Sequence, residues 1–165
     1  MQAGLMNRSA PRDDFLPTPD SVSALESRLS EPPPAVVEMI SRLEGDLVLL
    51  GVGGKMGPSM ARMAQRAVHE AGTKQRVIGV SRFSDSQLRG QLESWGLETV
   101  ACDLLNPEEV NELPLAKNVI YLAGFKFGAS QDPGRLWAMN CLAPSLVSLR
   151  YRDSRLVAFS TGNVY

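Results

Sequence analysis

Cysteine is scarce in this chain of 165 residues: Cys102 and Cys141 are the only two, and His69 is the single histidine. Neither cysteine belongs to a CxxC pair, and one histidine cannot assemble a metal site, so zinc chemistry and a disulfide framework are both excluded as organising principles. Charge of one sign is lacking as well. Seventeen Lys and Arg against 18 Asp and Glu leave a formal charge of −1 and a pI near 5.9, without the basic footprint that phosphate-backbone binding requires. Nucleic acid is therefore not expected as a partner. No apolar run is long enough to span a bilayer, and the start MQAGLMNRSAPRDD has no apolar core of the kind a secretory signal carries. These absences lead us to expect a cytoplasmic protein that binds no membrane.

The 44% hydrophobic and 21% charged content suits one globular domain with its own core. Residues 1–34 stand apart, with Pro11, Pro17, Pro19 and the run Pro32-Pro33-Pro34 among acids and serines. That composition predicts a partly disordered arm. Within it, Asp20 is expected to cap a short helix through Ser30, whose Val22, Leu25 and Leu29 could dock on the body, the other reading being a leader that merely tethers. From Ala35 to Leu43 a helical stripe runs through Val36, Val37, Met39, Ile40 and Leu43, with Gly45 as its left-handed stop.

Strand and helix signals then alternate. Strands are predicted at 46–50, 76–80, 98–102, 118–122 and 155–159, and helices at about 58–71, 85–95, from 107, and 133–151. LVLL, RVIGV, NVIYL and RLVAF are nearly continuous apolar runs, as expected when helices cover both faces of a parallel sheet. The predicted class is α/β, Rossmann-like and doubly wound, with five strands of what we expect to be a larger domain.

Directly after the first strand comes Gly51-Val52-Gly53-Gly54-Lys55-Met56-Gly57, running into a helix. In such a turn the first glycine makes the tight bend, the middle one admits a pyrophosphate to the backbone, and the last lets helix and strand pack closely. The helix N-terminus supplies free N–H groups to the anion. A glycine pattern alone could be a structural turn, but its position after the first strand of an α/β series favours cofactor binding. A nucleotide-triphosphate loop would need Lys-Ser/Thr after its last glycine, whereas Pro58-Ser59 follows Gly57.

These residues resemble the extended short-chain dehydrogenase/reductase family of NAD(P)-dependent epimerases and dehydratases, over residues from about 46 to 165. Its Gly-x-x-Gly-x-x-Gly signature matches Gly51, Gly54 and Gly57, with Gly53, Lys55 and Met56 in the same turn. The resemblance implies that Asp103, with Leu104, meets the adenine ring. It also implies that the small residues of Tyr121-Leu122-Ala123-Gly124 let the cofactor lie against the fourth strand, and that Asn140, matching the family's helix asparagine, contacts the cofactor, the other reading being an exposed or capping polar residue. Phe125-Lys126-Phe127-Gly128 departs from the family pattern, and Pro144 is expected to disturb the helix that holds Asn140. In Phe159-Ser160-Thr161-Gly162-Asn163-Val164-Tyr165, the match puts Thr161 in the place of the catalytic Ser/Thr, with Ser160 as its neighbouring candidate.

At the end of the second strand, Ser81 replaces the acid typical of NAD sites and Arg82 follows, which favours NADP over NAD. The other reading makes Arg82 a solvated residue and Ser81 a loop cap. The family's Tyr-x-x-x-Lys pair is not found: Phe125 stands four residues after Tyr121, Arg155 four after Tyr151, and Tyr165 is last. We therefore expect a natural protein that continues beyond residue 165 into a substrate-gripping part, and an isolated chain that is inactive. For the whole protein the resemblance implies an oxidoreductase or isomerase acting on a small molecule such as a nucleotide sugar, possible as a homodimer. A non-catalytic NADP-binding sensor or scaffold stays open beside it, as does a protein-interaction piece that works through the N-terminal arm.

Overall fold

The computed structural model describes residues 18–125 and 131–160. Five parallel strands form one sheet in the order β3-β2-β1-β4-β5. They are β1 (Leu47–Leu50), β2 (Val77–Ser81), β3 (Glu98–Ala101), β4 (Asn118–Tyr121) and β5 (Arg155–Ala158). The helices are α1 (Val22–Leu29), α2 (Pro34–Arg42), α3 (Gly57–Glu70), α4 (Ser86–Ser94), α5 (Pro107–Glu112), α6 (Pro133–Trp137) and α7 (Ala143–Arg150). The chain reverses direction across the sheet between β1 and β4, the arrangement of a Rossmann-like doubly wound fold.

The apolar runs earn their place because both faces of the central strands are covered. Val48 and Leu50 of β1, Ile78 and Val80 of β2, and Val119 and Tyr121 of β4 pack with Val110 of α5 and Val147 of α7. The alternate residues Leu47, Leu49 and Val77 pack on the other side with Ala61, Ala64 and Ala67 of α3, Leu92 of α4 and Ile40 of α2. Strand alternation thus feeds two cores, one per face. At about 25 cal/mol per Å² of apolar area buried, such filled strands contribute most of what holds the sheet together.

Polar locks close the amino ends of the strands. Asp46 accepts from the Arg76 backbone N–H (2.9 Å) and from its guanidinium (2.6 and 2.9 Å), and Arg76 also reaches Glu98 (3.3 Å). Burial works upward on the Asp46 carboxyl, but the Arg76 hydrogen bonds and charge outweigh it and hold the group below its ordinary range. Buried Asn118 donates to the carbonyls of Glu44 (2.9 Å), Gly45 (3.4 Å) and Asp46 (3.3 Å), pinning the turn from α2 into β1.

Expectations for three segments are corrected. Ser21, not Asp20, caps α1, its hydroxyl accepting from Ala24 N–H at 3.1 Å. The stripe of Val22, Leu25 and Leu29 does not dock, for all three stay exposed, Val22 at 73%. Polar contacts hold the helix instead: Arg66 of α3 donates to the Ser27 carbonyl (2.9 Å) and to the Ser30 and Ser27 hydroxyls (3.2 and 3.3 Å). The second concerns α2, which ends at Arg42 with Leu43 as its extended C-cap, while Gly45, at φ +78°, serves the following turn.

The third is the long helix over 133–151: the disturbance expected from Pro144 is present, and it divides the helix into α6, a π-helical turn at Ala138–Leu142, and α7. Pro144 has no N–H to give the carbonyl four residues back and its ring crowds that carbonyl. The turn before it widens, so that the Ala143 N–H reaches the Ala138 carbonyl five residues back. The Ser145 hydroxyl donates to the Cys141 carbonyl at 2.7 Å within the same disturbed stretch.

Candidate functional site

The carboxyl ends of β1 to β4 open onto a cleft of about 350 Å³. Its position at the reversal between β1 and β4 is where open α/β sheets bind ligands. The turn after β1 contributes Gly51, Gly53 and Gly54, the end of β2 Ser81 and Arg82, the end of β3 Asp103 and Leu104, and the end of β4 Ala123 and Gly124. Topology therefore brings together nine of the residues expected from the sequence. Gly57, Lys55 and Met56 are in the same turn but do not line the cleft. Thr161, with Lys126, Phe127 and Gly128, lies outside the described residues.

The glycines divide by the reason each lacks a side chain. Gly51 has φ +92°, and a Cβ on it would come within 2.7 Å of the Ala123 nitrogen. A Cβ on Gly53 would stand 2.5 Å from the Ser81 hydroxyl, and one on Gly57 would lie 2.5 Å from Val52 Cα, inside backbone that cannot yield cheaply. Gly51 and Gly57 are explained by the fold itself, whereas the Ser81 hydroxyl facing Gly53 can rotate away. Gly54 is not explained by the fold: its Cβ would meet only the Gly51 carbonyl, at 3.4 Å, an ordinary contact.

Beside Gly54 the start of α3 is bare. Side chains cap α1, α4, α5 and α6, from Ser21, Asp85, Asn106 and Asp132, whereas Met56 at the N-cap of α3, like Pro33 at α2 and Leu142 at α7, caps nothing. The amides of Gly53, Lys55 and Met56 donate to no acceptor among the described residues. An uncapped helix start with free N–H groups is suited to an anion.

At the β3 end, the loop is locked from below. Glu109 accepts from Asp103 N–H (2.7 Å) and from the Asn106 side-chain amide (2.8 Å), and Asp103 Oδ1 accepts from Leu105 N–H (3.0 Å). The second Asp103 oxygen has no partner among the described residues and can accept from a ligand. Burial, with Glu109 and Asp103 adding to it, pushes the Cys102 thiol up to about 11, so this cleft-lining cysteine stays protonated and unreactive at neutral pH.

Asn140 takes a different place from the one expected. Its Oδ1 accepts from Phe125 N–H (2.9 Å) and its Nδ2 donates to the Phe125 carbonyl (2.8 Å), so its amide clasps the segment after β4 and does not line the cleft. The π-turn is what presents it there. Met139, one residue earlier, does reach the cleft wall.

No family model matches the chain, and no curated protein matches it. Among solved structures it is similar to Pen from Bacillus thuringiensis, with a TM-score of 0.50 and 17% identity, over 65% of this chain and 34% of that one. The chain spans about a third of that protein's length. At that identity the likeness is one of fold.

Sequence reasoning missed Phe83, Ser84, Asp85 and Leu88, which wall the cleft beyond β2, and Cys102, Leu122 and Met139. The first group had a signal available, since every loop leaving a carboxyl strand end in this fold faces the same opening. Tyr121 and Tyr151 are inward. Burial pushes both phenols to about 12, and they donate to the carbonyls of Met139 (3.5 Å) and Pro114 (2.9 Å). Neither is placed for acid/base work. Among the described residues no group of His, Cys, Asp and Glu is arranged to hold a metal, and no helix is long and apolar enough to cross a membrane.

Proposed function

We propose that the cleft binds a nicotinamide dinucleotide, NADP in preference to NAD, and that the chain is the cofactor-binding part of an epimerase/dehydratase-like oxidoreductase or isomerase. The observation that carries this reading is Gly54, whose missing side chain no neighbouring protein atom demands, beside an uncapped helix start at the sheet's reversal point. Space kept clear in that position is what a pyrophosphate needs.

On this reading the free amides of Gly53, Lys55 and Met56 hold the pyrophosphate, Asp103 accepts from the adenine edge, and Ala123 and Gly124 leave room along β4. The cofactor, when bound, takes up or returns a hydride at a substrate carbinol carbon. Thr161 would hydrogen-bond the reacting oxygen. Asn140 acts by fixing the Gly124-Phe125 segment. A nucleotide sugar is the substrate class we propose for the whole protein.

Arg82 decides between the dinucleotides. It is exposed, lines the cleft and has no ion-pair partner among the described residues, so its guanidinium is available to a 2′-phosphate. With Ser81 in place of an acid, nothing at the β2 tip itself repels that phosphate. Arg82→Ala is expected to weaken NADP by about 1.5–3 kcal/mol, roughly ten- to 150-fold, and NAD by much less. Calorimetric titration of both cofactors into wild type and variant checks it. A wild type that prefers NAD, or an equal loss for both, would remove the NADP assignment.

A further inference from the structure

Phe83 is the one described residue other than glycine with a left-handed backbone, at φ +48°. A bulky side chain in that conformation is uncommon, and such strained positions cluster where a site over-determines the chain. Its surroundings do over-determine it. Phe83 sits in a short connection fixed by Ser81, the last residue of β2, and by Asp85, which caps α4 by accepting from Gln87 N–H at 2.8 Å. The Arg89 guanidinium lies over its ring, 5.9 Å from the centroid, and Arg89 is itself held by Glu93 (3.1 Å) and Thr99 (3.0 Å).

Packing alone does not explain this. Phe83 is only half-buried against the α3 side of the core, and it lines the cleft together with Leu88 and Leu104. An aromatic ring and two aliphatic side chains thus line the same cleft as the Asp103 carboxylate. A flat heteroaromatic ring carrying an exocyclic amine meets both demands: ring area against Phe83, hydrogen-bond donation to the free Asp103 oxygen.

We propose that Phe83 is the stacking platform for the adenine ring, and that its left-handed backbone is retained because it presents that ring to the cleft. This rests on the dinucleotide reading and adds to it a residue that selects the base. Stacking on an aromatic side chain depends on the ring face, whereas core packing depends on apolar volume, so substitutions can separate the two roles.

The test measures dissociation constants of NADP, 5′-AMP and nicotinamide mononucleotide for wild type, Phe83→Leu and Phe83→Tyr. Phe83→Leu keeps the apolar bulk and is expected to weaken NADP and 5′-AMP about tenfold, leaving nicotinamide mononucleotide unchanged. Phe83→Tyr keeps the ring and should bind all three as wild type does. Unaltered 5′-AMP binding by Phe83→Leu, with NADP still bound by wild type, overturns the stacking role and leaves the dinucleotide site standing. Equal weakening of all three ligands also overturns it, since that is the mark of a general disturbance. Failure of wild type to bind NADP and NAD at all removes the dinucleotide reading, and the platform falls with it. Should Phe83→Leu not fold, Phe83→Tyr and Phe83→Trp decide: the indole emission that Phe83→Trp adds over wild type is expected to be quenched by 5′-AMP, and emission that 5′-AMP does not perturb contradicts stacking.

Discussion

Gly54→Val is expected to abolish dinucleotide binding, with a loss of affinity for NADP of roughly a hundredfold or more, while circular dichroism and melting temperature stay near wild type. Gly54 is exposed, its φ lies outside the left-handed region, and an added Cβ meets only the Gly51 carbonyl at 3.4 Å. The fold therefore tolerates a side chain there. A pyrophosphate lying on the free amides of Gly53, Lys55 and Met56 does not, because the branched methyls would fill the volume its oxygens need. Gly54→Ala, with less bulk, should give an intermediate loss. Retention of wild-type affinity by Gly54→Val would take the turn out of the account.

Gly57→Ala is expected to do the reverse, damaging the fold first. Helix propensity alone would forecast a gain of about 0.5–1 kcal/mol for replacing glycine by alanine. Sterics win here, because Gly57 is buried and a Cβ on it would press into the Val52 carbonyl and stand 2.5 Å from Val52 Cα. Val52 cannot retreat freely, being wholly buried and packed beneath Gly79. Overpacking of this kind costs about 3 kcal/mol, which for a chain of this size lowers Tm by roughly 6–12 °C. Thermal denaturation checks it, and a variant as stable as wild type would show that α3 can slide away from β1 at little cost.

These two glycines stand three residues apart in one motif, and their order in it already assigned Gly54 to the pyrophosphate and Gly57 to the packing of α3 on β1. What the residues themselves disclosed was the order of strands and helices, the parallel sheet and the turn after β1, because long apolar runs and glycine clusters report burial and backbone freedom directly. Part of the cleft's lining was legible at the strand ends, at Ser81, Arg82, Asp103, Ala123 and Gly124, whereas Cys102 and Leu122, also at strand ends, were missed. Three features were not legible, each for its own reason. The left-handed Phe83 has no sequence mark, since that conformation is normally signalled by glycine or asparagine. Asn140 was expected at the cofactor because it matches the asparagine of the family it resembles, whereas the π-turn that directs its amide to Phe125 arises from the interplay of Pro144 with the preceding carbonyls. The α1 helix carries an apolar stripe, yet Arg66 outside it and serines within it decide how it docks.

The central claim is that a dinucleotide lies across the turn after β1, and backbone amide resonances followed during NADP titration test it most directly. The account predicts saturable shifts concentrated at Gly53, Gly54, Lys55 and Met56, with further shifts at Ser81, Arg82 and Asp103, and none at the amino ends of the strands around Asp46 and Arg76. No shift on titration, or shifts gathered in the groove between α1 and α3 around Arg66, His69 and Trp95, would contradict it.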